Sequence, residues 1–218
     1  MIKIMQIDEQ PLTKIGEVAG VCYGTTNPKR FYNIGKTCIE QNHGRVMEFT
    51  NILFTFDGYS AKVIRELFRN KAGTSELQAS TRYIEYSKDF DYVVPHSVKA
   101  NPEAFDVWER TINSICQGIV KLEELGIPNE DRTNLLPLAY ATKGVYQINL
   151  RELLHVCRVR LCTSAYWEYR MFMQHLLNEI KEVSDEWRFI VENYCKPKCD
   201  FDGHCSEARV KCGRHPLK

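Results

Sequence analysis

Residues 47–83, MEFTNILFTFDGYSAKVIRELFRNKAGTSELQASTRY, change character twice, and those changes decide the fold. From Met47 to Phe56 the side chains are β-branched and aromatic with partial alternation, which predicts a strand closed by Asp57-Gly58. Ser60 then offers an N-cap for a helix. In that helix Lys62, Arg65, Glu66 and Arg69 recur at spacings of three and four, so three cations and one carboxylate share a face while Val63, Ile64 and Leu67 pack inward. Gly73, Thr74 and Ser75 follow with backbone N–H groups and hydroxyls, and a period of two puts Ser80 and Arg82 on one side of an extended segment. Such a segment suits an anion.

Upstream, residues 1–25 predict a first strand and a short helix leading into Val21-Cys-Tyr-Gly24. Downstream, Asn101 as cap, Pro102 in the first turn and Gly126 as stop bound a helix whose apolar positions are Phe105, Trp108, Ile112, Ile115, Ile119 and Leu122. Residues 149–181 are helical in pattern, and Thr163-Ser164 is read as the cap of a second helix within them. Ser184 caps a last helix to Tyr194. The composition breaks near Cys195, which predicts one catalytic domain over residues 1–194 and a Cys-rich tail over residues 195–218.

A formal net charge of +1 and a pI near 7.5 provide no global attraction to nucleic acid or to an anionic membrane, so neither is expected as a partner. Apolar runs fall short of the roughly 18 residues of a membrane span, and the N-terminus lacks a secretory pattern, which predicts a cytoplasmic protein. The nine cysteines are an odd number, and Cys22, Cys38, Cys116, Cys157 and Cys162 stand singly in apolar or helical context, as reduced structural residues do.

Arg65, Arg69, Lys71, Arg82, Arg151, Arg158 and Arg160 are numerous enough to grip the phosphates of a nucleotide and a dinucleotide, although charge runs more often face water. Order and spacing must decide between the two readings. Arg69-Asn70-Lys71, Thr74-Ser75, Ser80-Thr-Arg82 and Tyr83 resemble the signature of flavin-dependent thymidylate synthases, written R-H-R, two residues, S, four residues, S-x-R. Here Asn70 replaces the histidine, Lys71 replaces the second arginine, and one extra residue precedes Ser80. The resemblance continues through Val21-Cys-Tyr-Gly24, His43 with Glu48, Leu136-Pro137 with Thr142, and Asn149-Leu-Arg151, His155 and Arg160 followed by Ala165, Trp167 and Glu168. It covers about residues 15–185, with Phe49 and His155 as further departures.

The resemblance implies an α+β fold, a twisted, mostly antiparallel sheet with packed helices and a helix-rich second half. It implies reductive methylation of dUMP to dTMP, with methylenetetrahydrofolate giving the carbon, FAD the hydride, and NADPH reducing the flavin. Flavin would be held by His43, Arg69, Asn70, Lys71, Thr74, Gln78, Asn149, Arg151 and His155. Substrate would meet Glu66, Gln78, Ser80, Arg82, Arg132 and Arg160, of which Ser80, Arg82 and Arg160 are the residues assigned to catalysis. Ser80 would act through its backbone and hydroxyl, since a serine without an activating base is a poor nucleophile. A homotetramer with shared active sites is implied too. Helical geometry supports one division of labour: residues 151 and 155 lie one turn apart, whereas residue 160 lies roughly 180 degrees from 151.

Two other classes bear comparison. Asn70, Lys71 and Glu66 fit a catalytically impaired flavin- or nucleotide-binding relative. Cys195, Cys199, Cys205 and Cys212 with His204 and His215 would suit a zinc-dependent nucleic-acid module, yet their spacing lacks a C-x2-C knuckle, so no metal is expected. A thiol nucleophile, as in the classical thymidylate synthases, is not expected either, because none of the cysteines stands in a Pro-Cys-His setting.

Overall fold

Helix starts and stops follow local chemistry closely. In the computed structural model, which describes residues 1–86, 90–207 and 212–218, the elements in chain order are β1 (Ile2–Ile7), α1 (Pro11–Tyr23), α2 (Phe31–Glu40), α3 (Gly44–Met47), β2 (Asn51–Ser60), α4 (Ala61–Leu67), β3 (Thr74–Gln78), α5 (His96–Lys99), α6 (Pro102–Glu124), α7 (Asn129–Arg132), β4 (Ala141–Asn149), α8 (Leu150–Arg160), α9 (Trp167–Lys181), α10 (Asp185–Tyr194) and α11 (Lys198–Asp202). Gly24 ends α1 at φ 65°, a left-handed value that a glycine adopts at little cost. Asn101 caps α6 by accepting from the backbone of Glu103 and Ala104 at 3.0 and 3.2 Å, and Ser184 caps α10 through the Trp187 N–H at 3.2 Å.

The fold is α+β, with a four-stranded sheet in the order β1-β2-β4-β3. Two pairings near strand ends show antiparallel running of β2 against β4: Leu150 N–H donates to Thr50 O, and Ala61 N–H to Tyr140 O, both at 2.9 Å. Asn149 N–H to Gly73 O and Ala79 N–H to Lys143 O, at 2.9 and 2.8 Å, do the same for β4 and β3. Among the described residues, no helix is long and apolar enough to cross a membrane.

The chain divides into two compact units, one of Met1–Thr55, Glu66–Glu76 and Val145–Lys218, the other of Phe56–Arg65 and Leu77–Gly144. In the first, Phe54 packs on Tyr146 and Phe172, and Tyr169 meets Phe172 edge-on, all four being almost fully buried. Helices α1 and α2 approach so closely that a Cβ on Gly16 would lie 1.8 Å from Phe31 O, and one on Gly35 would lie 1.8 Å from Leu12 O. The second unit has its own core of Ala61, Phe90, Ile112, Ile119 and Tyr140.

Several local expectations need correction. The strand begins at Asn51, because residues 44–47 form a helical turn and Phe49 is 55% exposed. Asp57-Gly58 does not close it: Gly58 sits within β2 at φ 79°, so the turn signal marks a bend inside the strand. Ser60 does cap the following helix, accepting from Val63 N–H at 3.2 Å, but α4 stops at Leu67, so Arg69 leaves the shared face. Ser80 and Arg82 lie in a turn, not an extended segment, because Ser80 Oγ accepts from the Arg82 N–H at 3.2 Å and Ser80 O from the Ile84 N–H at 3.1 Å. The break between α8 and α9 is real, yet the N-cap is Tyr166 and no side chain caps it.

These packing distances set opposite signs for two glycine substitutions. Gly35→Ala should lower unfolding free energy by about 3 kcal/mol or more, since the obstacle is backbone. Gly118→Ala, inside α6 with its nearest neighbour at 3.5 Å, should raise it by about 0.5–1 kcal/mol. Urea denaturation of both variants checks the pair.

Candidate functional site

Asn149 ends β4 and caps α8, its side-chain oxygen accepting from Glu152 N–H at 2.9 Å. Its side chain also lies against Gly73, where a Cβ would stand 2.1 Å from the amide nitrogen and where φ is 64°. Glycine is therefore required at residue 73 on two counts. This contact sets where α8 begins, and α8 carries Arg151, His155 and Arg160.

On one side of α8, Arg160 lies with its guanidinium 4.7 Å from the Tyr169 ring centroid and donates to Glu66 Oε2 at 3.1 Å. Glu66 thus turns to Arg160. The Tyr169 hydroxyl accepts from Asn70 Nδ2 at 2.7 Å. Burial, with Tyr146 adding, raises the Tyr169 phenol well above its ordinary range despite the opposing charge of Arg160, so it stays neutral. Burial likewise pushes Tyr146 up to about 12, against a lowering contact from Thr74. The Tyr146 hydroxyl, with its single proton, lies 3.4 Å from the carbonyl oxygens of both Leu67 and Asn70, and Thr74 Oγ donates to Asn70 O at 2.6 Å. Asn70 is consequently the hub of the loop between α4 and β3. Lys71 pairs with Glu76 and lies over the Phe68 ring, while Arg69 is exposed.

On the exposed side of α8, Arg151 Nη1 donates to Glu48 Oε1 at 2.5 Å, and His155 is also exposed. Gly44 sits where a Cβ would come within 2.9 Å of Arg151 Nε, so the His43-Gly44 backbone abuts that guanidinium. His43 Nε2 lies 3.0 Å from Gln41 Oε1. A cavity of about 910 Å³ opens beside it, with Arg30, Asn33, Gln41, His43 and Arg45 among its lining. The hydrogen bond from Arg151, with Arg45 adding, holds the Glu48 carboxyl below its ordinary value against a burial effect that raises it.

The second unit holds the remaining assigned residues. Gln78 Nε2 donates to Tyr140 Oη and Thr142 Oγ1 at 3.1 and 3.2 Å. Arg82 pairs with Glu130 at 2.8 Å and its guanidinium lies 5.5 Å from the Tyr83 ring centroid. Asn129 Nδ2 lies within 3.2 Å of the carbonyls of Thr81, Arg82 and Ile84, and Thr133 Oγ donates to Thr81 O at 3.1 Å, which fixes the turn bearing Ser80 and Arg82. Arg132 is buried, donating to Ile127 O at 3.2 Å and to Glu123 at 3.5 Å.

Sequence reading missed Tyr169, Tyr146 and Asn129. The tyrosines had a faint signal, since Tyr169 shares the apolar i, i+3, i+4, i+7 stripe of Phe172, Met173 and Leu176, which marks burial but not a hydroxyl partner. Asn129 had none, because its acceptors lie more than forty residues away in sequence.

The model of the family described as thymidylate synthase complementing protein matches residues 3–184. The chain belongs to this family. Curated proteins similar to it carry the name flavin-dependent thymidylate synthase. The one from Thermococcus onnurineus is 29% identical, with 96% of this chain and 90% of that protein covered. The one from Nitratidesulfovibrio vulgaris is 32% identical over 83% of this chain and 75% of its own length. For Clostridium tetani the identity is 24%, with 98% and 93% covered. All the assigned flavin and substrate residues of this family member lie inside the matched range, and residues 185–218 lie beyond it.

The Glu48–Arg151 pair makes a signed prediction. Because the folded-state carboxyl is depressed, its contribution to stability is present above the unfolded-state value and is lost as pH falls through the folded-state value. Carbon-13 NMR titration should show Glu48 ionising below an ordinary glutamate, and Arg151→Ala should return it upward.

Proposed function

We propose that this chain is a flavin-dependent thymidylate synthase with the fold of that family, converting dUMP to dTMP with methylenetetrahydrofolate as carbon donor and NADPH as reductant. The family membership over residues 3–184 carries this reading. In the balance the methylene group passes to C5 of the pyrimidine, the C5 hydrogen leaves as a proton, one hydride completes the methyl group, and the two folate nitrogens take up protons, so tetrahydrofolate leaves unoxidised.

The donors around the first unit's cavity suit a dinucleotide: Arg30, Arg45 and His43 offer cationic or donor groups for a diphosphate, and the volume is within the roughly 300–1,000 Å³ of ligand sites. FAD, when bound, supplies the hydride. His43, Arg69, Asn70, Lys71, Thr74, Gln78, Asn149, Arg151 and His155 are the residues proposed to hold it, Asn149 and Asn70 chiefly by fixing the backbone that meets it.

Arg160 is proposed to bind the dUMP phosphate. Tyr169 presents a neutral ring beneath its guanidinium, which fixes that planar fork while leaving its donors for an anion. Glu66 competes with the phosphate for the same donors. Ser80 and Arg82, set by the Asn129 turn, are proposed to position the pyrimidine nucleotide together with Gln78, and Arg132, which is buried and bonded to Ile127 O, is proposed as a further substrate residue. Active sites built from several subunits of a homotetramer, and a cytoplasmic location, belong to the same proposal.

Tritium release from 5-labelled dUMP, with NADPH and methylenetetrahydrofolate present, tests it. The wild type should release tritium; binding of dUMP without release would instead identify a binding-only relative. Arg160→Ala should raise KM for dUMP roughly ten- to hundredfold, since bonds to a charged group contribute about 1.5–3 kcal/mol. Glu66→Gln should move KM the other way by up to about fivefold, in line with the ~1 kcal/mol limit of a partly exposed pair.

A further inference from the structure

The tail after α10 is poor in apolar packing. Among its described residues the buried ones are Cys195, Pro197 and Cys205, while Phe201 and Leu217 are 43% and 49% exposed. Yet the segment is ordered around a point. Cys205 N–H donates to Pro216 O at 2.7 Å and Lys218 N–H donates to Cys205 O at 3.1 Å, tying the last residues to Cys205.

Three thiols share the lining of one cavity there. Cys162, from the loop after α8, lines a cavity of about 130 Å³ with Cys199 and Cys205. Beside them, Cys199 Sγ, an Asp200 oxygen and a His215 ring nitrogen all lie within 4.8 Å of one another. Asp200 is already engaged, bound by Arg214 through two contacts at 2.5 and 2.6 Å and by His215 Nε2 at 2.8 Å. Metal-bound histidines usually give their other ring nitrogen to a carboxylate, and His215 with Asp200 has such a pairing.

We propose that Cys162, Cys199, Cys205 and His215 bind one zinc ion tetrahedrally, with Asp200 orienting His215. The site is structural: four protein ligands leave no open position, and the ion ties the tail to the end of α8. Binding releases three thiol protons, and no oxidation is involved. A Cys3His set keeps one net negative charge with zinc bound, and Arg214 beside Asp200 and Arg158, whose guanidinium lies 5.1 Å from the Phe201 ring centroid, are the nearby cations that offset it.

The tail's spacing hid this set because one ligand comes from a loop more than thirty residues earlier. Cys195, which the spacing did suggest, is a free thiol hydrogen-bonded to the fully buried thiol of Cys157. Cys212 is exposed and meets the Thr163 hydroxyl and the Arg214 backbone.

Elemental analysis of full-length protein purified without chelator tests the proposal. About one zinc per chain is expected, retained in Cys212→Ser and Cys22→Ser and lost in Cys199→Ser, Cys205→Ser and His215→Ala. If those variants misfold, cobalt(II) added to the reduced, metal-stripped wild type should produce thiolate-to-cobalt charge-transfer absorption. Zinc-free protein with no such absorption, a Cys199–Cys205 disulfide in the fresh protein, or loss of zinc in Cys212→Ser with retention in His215→Ala would each overturn it.

Discussion

The contact between Asn149 and Gly73 is the constraint on which the first unit's functional residues depend. One backbone hydrogen bond of 2.9 Å joins the end of β4 to the residue before β3, and the same asparagine side chain caps α8. A strand end, a loop and a helix start are thereby fixed at one point. From it the helix rotates Arg151 and His155 to the exposed face and Arg160 over Tyr169. Any side chain at residue 73 would need a left-handed backbone and would overlap the asparagine amide, so the cost falls on both the turn and the cap.

A second regularity is electrostatic. Arg151, Arg160, Lys71 and Arg82 each have a carboxylate partner from the chain itself, Glu48, Glu66, Glu76 and Glu130 respectively. The three pairs whose cation is exposed, those of Arg151, Lys71 and Arg82, contribute little to stability, typically under about 1 kcal/mol, while the Arg160–Glu66 pair is more buried. They hold the guanidinium and ammonium groups in defined places at small cost, and a doubly charged phosphate can replace a single carboxylate without leaving a buried charge unpaired. A near-neutral chain with local cationic points is consistent with recognition of particular phosphates, not of polyanions.

Much of this was legible in the sequence where cause and effect are close along the chain. Ser60, Asn101, Asn149 and Ser184 act within three residues of themselves, and the helices they start were readable. The opposite faces of residues 151 and 160 followed from helical period alone. Where distant partners decide, reading failed. Gly58 looked like a stop because turn propensity is local, whereas continued pairing across β2 and β4 carries the strand to Ser60. Ser80 to Arg82 looked extended, but Asn129 and Thr133 hold them in a turn. Glu66 shares a helix face with cations in the sequence, but its partner is Arg160, ninety-four residues on. Family resemblance identified which residues to watch, and not how their own carboxylates engage them.

The central claim is that Arg160, braced on Tyr169, is the phosphate-binding group of a thymidylate synthase. A crystal structure of the protein with FAD and dUMP tests it most directly. The account predicts the dUMP phosphate on the Arg160 guanidinium with Glu66 displaced from it. A phosphate bound elsewhere, with the Arg160–Glu66 pair intact, would contradict it.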